Sequence, residues 1–200
     1  MRSTVVTFLF ICIAAGGKLT AATPTPKSHP RHSADFIHIS CRSTRYPALC
    51  EKSLAVYAPA VRHSPRQLAH AALSVSVARV RDASSFVYRL SARSKSPRAQ
   101  GGGAVRDCLE TLADSVDRLR QSAKEMERMG RYGSARFNWH LSNVQTWVSA
   151  ALTDESTCLD SLSEDAKSAS VRGPIRERIV SVAQITSNAL ALVNRLQGRN

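Results

Sequence analysis

The segment AVRDCLETLADSVDRLRQSAKEMER, residues 104–128, sets Val105, Leu109, Leu112, Val116, Leu119, Ala123 and Met126 at alternating steps of four and three. That spacing tracks the 3.6-residue turn, so the seven side chains share one face of an amphipathic helix that must be covered by other helices. On its polar side, Asp114 with Arg118 and Glu127 with Arg131 stand at the i, i+4 separation, where an ion pair adds about 0.2–0.5 kcal/mol. Gly130 and Gly133 bracket the turn that ends it.

The same period recurs on both sides. Downstream, Ser134 can cap a helix with the stripe Phe137, Leu141, Val144, Val148 and Ala151. Trp139 and Trp147 flank that stripe and read as core or rim packing rather than a ligand box. Thr153 to Ser163 reads as a further short helix or an irregular extension. Gly173-Pro174 opens a last helix that turns Ile175, Ile179, Val182, Ala189, Val193 and Leu196 inward and closes at Gly198. Upstream, Ser64-Pro65 supplies a capping hydroxyl and a proline at the first helical position, starting a helix that reaches about Ala92 with Leu73, Val80, Ala83, Val87 and Leu90 along one side. Pro97 and the glycines at 101–103 make Ser94–Gly103 a loop. Sustained period-two alternation is absent, so the chain is all-α: an antiparallel up-down-up-down four-helix bundle. A short N-terminal helical hairpin precedes it, with a turn over Phe36–Ser40 and a helix over Ala48–Tyr57 before Pro59. Residues 23–34 read as a flexible leader, and the bundle domain as 35–200.

Residues 1–22 have the form of an export signal: Arg2, an apolar run from Val5 to Ala15, and small residues at Thr20-Ala21-Ala22. An apolar run of about 11 residues is too short for a membrane span, which takes about 20. Cys12 leaves with the signal, and four of the five cysteines remain in an oxidising compartment where disulfides form. Four cysteines allow three connectivities, and sequence leaves all three open; loop closure favours Cys41 with Cys50, which leaves Cys108 with Cys158. With no C-x-x-C pair and no histidine at ligand spacing, neither zinc nor any other cofactor is expected.

The formal net charge is +13, or +11 once Arg2 and Lys18 depart with the signal. A basic secreted protein is drawn to polyanions, which in an extracellular matrix means acidic polysaccharide. Arginines scattered over every helix without a stacking platform speak against nucleic acid. Catalytic constellations are missing: no G-x-S-x-G, no H-E-x-x-H, and a glycine run at 101–103 with no strand before it and no G-K-[ST]. Against this basic background Glu110, Asp114 and Asp117 recur at i, i+4, i+7 beside the apolar stripe. They form one acidic strip, suited to a partner with cationic or donor-rich groups.

Several of these residues together carry a resemblance. They are Ile39-Ser40-Cys41; Thr44-x-Tyr46-Pro47-x-x-Cys50; Asp107-Cys108-Leu109-Glu110 with Asp114 and Asp117; Val144-Gln145-Thr146-Trp147-Val148-Ser149-Ala150-Ala151-Leu152-Thr153 ahead of Thr157-Cys158; and Thr186-Ser187-Asn188-Ala189-Leu190-Ala191-Leu192. Over roughly residues 37 to 197 the chain resembles the plant pectin methylesterase inhibitor and invertase inhibitor family. The resemblance implies Cys41–Cys50 and Cys108–Cys158 bridges and secretion to the apoplast and cell wall. It also implies a reversible one-to-one complex with pectin methylesterase, in which Glu110, Asp114, Asp117 and Thr157 meet the enzyme and its cleft is occluded. Carboxylates in that contact would make the complex pH dependent. Acid invertase is the alternative target. The Pro-Lys-Phe triplet of invertase-directed members corresponds here to Ser134-Ala135-Arg136-Phe137, without the proline, and the Thr146–Thr153 run is more similar to the methylesterase-directed side. The family's fold also occurs as the pro-region of methylesterase precursors, whereas this sequence is expected to act alone.

Overall fold

The computed structural model describes residues 30–93, 103–164 and 169–198, and helices account for most of them. Four short elements come first: α1 (Pro30–Cys41), α2 (Pro47–Leu54), a 3-10 turn at Ala55–Tyr57 and α3 (Ala58–Val61). The bundle follows with α4 (Pro65–Arg93), α5 (Gly103–Arg128), α6 (Ala135–Glu164) and α7 (Ala169–Asn194). Each long helix packs on the next and α7 returns to α4, so the α5–α6 edge lies opposite the α4–α7 edge. Among the described residues there is no strand and no helix long and apolar enough to cross a membrane.

The core is built from the stripes. Val80, Ala83 and Val87 of α4, Leu112 and Leu119 of α5, Val144, Val148 and Ala151 of α6, and Ile175, Ile179 and Val193 of α7 are all fully buried. Leu90, Leu109 and Ala123 lie at the margins of their stripes and are only partly covered. Buried serines interrupt the apolar seams: Ser76, Ser115 and Ser122 have no exposed surface. Ser76 and Ser122 donate to the carbonyls of Ala72 and Arg118 on their own helices, so their small side chains cost no unsatisfied hydroxyl where helices approach closely.

The turns behave as their residues require. Ser64 Oγ accepts the amide of Gln67 ahead of α4, and Ser134 Oγ that of Phe137 ahead of α6, each filling the capping role. Gly133 has φ of 75°, a left-handed conformation that a side chain would strain. Arg66 reaches from α4 across the α5–α6 turn, where it donates to the carbonyls of Met129 and Gly130 and stacks on Tyr132 and Phe137. The C-terminal carbonyls of α5 thereby gain a cationic donor.

The hairpin is closed by Cys41–Cys50 and tied to the bundle by polar clamps. Asn188 of α7 accepts the amide of Tyr46 at 3.0 Å and donates to its carbonyl at 2.9 Å, a pairing that replaces missing backbone partners. Arg195 donates to the Ser40 carbonyl and the Ser43 hydroxyl.

Several boundaries differ from the sequence reading. Helix α1 begins at Pro30, so the last five residues expected in a leader are helical, and Ser33 is buried. Proline suits the first helical position, where its missing N–H forfeits no bond. The rest of the leader and the export signal lie outside the described residues, as does the Ser94–Gly103 loop up to Gly103 itself, which opens α5. Pro59 does not end the second short helix but sits in the first turn of α3. Thr153–Ser163 continues α6 without a break: its hydroxyls bond back to carbonyls four residues earlier, while Glu155, Cys158 and Leu162 keep facing the core. Helix α7 starts four residues before Gly173, with Pro174 inside it. Burial of Val171 and Ile175 on one face holds that first turn together despite the bond lost at the proline. Trp139 is 68% exposed rather than packed, and Trp147 is half-buried.

Candidate partner-binding surface

The α5–α6 edge is set by cross-links that fix the register of the two antiparallel helices. Cys108 is bonded to Cys158 with Cα atoms 4.1 Å apart, closing a loop between residues 50 apart in sequence. Farther along, Arg118 Nε donates to Asp154 Oδ2 at 2.8 Å, and toward the far end Glu125 is held by His140 and Asn143.

On this frame Glu110, Asp114 and Asp117 are all exposed, in one row along α5. Their charges are managed differently. Arg106 Nε donates to Glu110 at 3.0 Å and Arg120 to Asp117 at 3.1 Å, both within the helix and both open to water. Such exposed pairs contribute less than about 1 kcal/mol and rearrange readily when a partner arrives. Among the described residues, Asp114 has no partner in a side-chain hydrogen bond or ion pair. The expected Asp114–Arg118 pair does not form, because Asp154 on α6 offers Arg118 a less exposed carboxylate. Glu127 likewise pairs with His70 of α4, at 3.6 Å, rather than with Arg131.

Thr157 stands next to Cys158, and Glu110 two residues from Cys108, so the disulfide brings the threonine to the Glu110 end of the strip. Thr157 is exposed and its hydroxyl donates to the Thr153 carbonyl at 2.9 Å, leaving the oxygen lone pairs available to a partner's donors. Strip and threonine are thus exposed on neighbouring helices, with Thr157 level with the Glu110 end, while Ser134, Ala135, Arg136 and Phe137 lie at the other end of α5 and α6. There Phe137 is buried and cannot serve as a surface contact.

Behind this face lies a polar triad that pattern reading missed. Glu155 of α6 is fully buried, and its Oε1 accepts from Ser115 of α5 at 3.0 Å and from Thr186 of α7 at 2.9 Å. Oε2 has no partner. Burial raises the Glu155 carboxyl to about 7, against the two hydroxyl bonds and with help from the neighbouring Asp154. Burial also raises Asp154, an effect opposed by Arg118. Glu125 goes the other way, lowered chiefly by its bond to His140. The available signal was Ser115, three residues after Leu112 and so on the inward stripe, where a hydroxyl needs a partner. Among the described residues no group of three His, Cys, Asp or Glu is placed to hold a metal. The arrangement offers a rigid docking face rather than reactive groups converging on a cleft.

Comparison with known proteins agrees with this geometry. Residues 35–192 match the family described as plant invertase/pectin methylesterase inhibitor. Pectinesterase inhibitor 9 of Arabidopsis thaliana is 48% identical over 179 residues, spanning 88% of this chain and 87% of its own. A 21 kDa protein of Daucus carota is 41% identical, with 91% of each chain covered. A crystal structure of a mutant pectin methylesterase inhibitor from Arabidopsis superimposes with a TM-score of 0.59 over 80% of this chain and 95% of that one, at 20% identity, and so shares the fold.

Proposed function

The chain belongs to the plant invertase/pectin methylesterase inhibitor family, and from that premise we propose that it inhibits a pectin methylesterase. The observation that carries this reading is the 48% identity, over nearly the full length of both chains, to a relative named as a pectinesterase inhibitor. The mechanism is occlusion. The α5–α6 edge, with Glu110, Asp114, Asp117 and Thr157, seats against the rim of the esterase's pectin cleft, so the polymer cannot enter and no residue of the inhibitor is altered. The Cys108–Cys158 disulfide and the buried seam between α5 and α6 keep the edge rigid, which lowers the ordering cost of association. Secretion to the cell wall follows from the export-signal reading of residues 1–22. A positive surface allows weak association with acidic pectin there.

The test is a titration of methanol release from methylated pectin by a panel of plant methylesterases, at pH 5 and 7, with mature oxidised protein. Stoichiometric, reversible loss of activity is expected. Reversing the strip with Glu110→Lys and Asp117→Lys should weaken inhibition by at least about tenfold, since truncating or reversing charges at an interface costs 1.4 kcal/mol or more. Inhibition of acid invertase with no effect on any methylesterase would transfer the target to invertase, and an unaffected strip variant would remove the acidic edge from the mechanism.

A further inference from the structure

Charge is segregated across the bundle. Helices α5 and α6 carry 10 of the chain's 15 acidic residues against 6 basic ones, a net −4. Helices α4 and α7, on the opposite edge, carry 2 acidic and 8 basic residues, a net +6. The overall positive balance is therefore concentrated away from the proposed docking face.

On that opposite edge the hairpin, α4 and α7 enclose a hollow of about 290 Å³. Lys52 of α2, Arg79 of α4 and Arg178 of α7 come to it from three separate elements, with Val182 and Ile185 forming an apolar floor. Lys52 and Arg79 are exposed and, among the described residues, make no hydrogen bond or ion pair. Arg178 lies over the Phe86 ring at 5.0 Å, which fixes its guanidinium without neutralising it. Asp82 is the acid lining this hollow, and it forms no ion pair with these cations. Arg178 and Ser181 also line a second hollow along α4 and α7, about 290 Å³, together with Phe86, Pro174 and the acid Glu177. The result is an elongated concavity in which three cations, one of them held on an aromatic ring, outnumber two carboxylates, Asp82 and Glu177, beside a strip of apolar wall.

We propose that this groove between α2, α4 and α7 binds a carboxylated polysaccharide, the de-esterified pectin chain. Guanidinium groups pair with carboxylates through parallel hydrogen bonds, sugar rings lay their C–H faces on the apolar floor, and a linear polymer suits an open groove better than a closed pocket. The proposal rests on the inhibitor reading for its choice of polymer. Its consequence is bifunctional: one edge engages the esterase, and the other holds the inhibitor on the product that the esterase makes.

Affinity electrophoresis of the mature protein through gels containing polygalacturonate, fully methylated pectin, sulfated polysaccharide or no polymer tests this, alongside esterase inhibition by the same preparations. Polygalacturonate should retard the protein, salt should abolish retardation, and methylated pectin should not retard it. The triple change K52Q/R79Q/R178Q should weaken retention roughly tenfold, a factor of about two per lost contact, with inhibition unchanged. A control with equal charge loss at dispersed exposed sites, R42Q/K124Q/R131Q, should change retention less than threefold. Equal losses in both triples, retention by methylated pectin, stronger retention by the sulfated polymer, or no retention at all would each overturn the groove. If polygalacturonate is held through the groove but no esterase is inhibited, the inhibitor reading fails while the binding site stands.

Discussion

Replacing Glu155 by Gln should remove a pH dependence built into the core. Its folded carboxyl sits at about 7, against an ordinary 4.5, because it is buried among α5, α6 and α7 with one oxygen unpartnered. A group whose folded value is raised contributes stability that is complete below pH 4.5 and lost as pH climbs through 7. The span corresponds to about 3 kcal/mol. In the Gln variant Oε1 still accepts from Ser115 and Thr186, and the amide occupies the place of a protonated carboxyl without titrating. Urea unfolding of both proteins at pH 4.5, 6 and 7.5, disulfides intact, measures the difference. At pH 4.5 the two should agree within about 1 kcal/mol, the cost of one imperfect hydrogen bond. By pH 7.5 the variant should be the more stable by roughly 2–3 kcal/mol. Glu125 titrates in both proteins and its contribution cancels in the comparison. A wild-type-minus-variant difference that stays constant across the three pH values would refute the buried-proton argument.

Three further outcomes are expected. Removing Cys108–Cys158 by paired serine substitution should cost on the order of 4 kcal/mol, and removing Cys41–Cys50 on the order of 3, since the first closes a much longer loop; thermal unfolding would show the order reversed if loop closure were not the main source. Asn188→Ala should leave the bundle folded but strip the Tyr46 backbone of both its clamps, so that amide exchange speeds up across α1 and α2 by about tenfold or more while α5 and α6 are unaffected. Ser134→Ala should lower stability by about 1 kcal/mol through loss of the α6 cap, and no change in the denaturation midpoint would deny the cap its role.

Much of the fold was legible because it depends on local order in the chain. The stripe from Val105 to Met126 and the matching stripes in α4, α6 and α7 are properties of spacing, and a stripe of that width has to be buried whatever covers it. The caps at Ser64 and Ser134 and the turn at Gly133 are equally local. The acidic recurrence at Glu110, Asp114 and Asp117 needed only the sequence, whereas the pairing of the four cysteines, which the sequence left open, is read from the structure.

Tertiary structure alone decided what lies between helices. Whether Arg118 pairs along its own helix or across to Asp154, and whether Glu155 faces water or the core, depends on the rotation and register of neighbouring helices, which no spacing within one helix encodes. The same holds for the gathering of Lys52, Arg79 and Arg178 from three separate elements into one groove, and for the separation of an acidic edge from a basic one. Composition determines how much charge a chain carries, but packing determines which charges lose water and which stand side by side, and that is where electrostatic free energy is set.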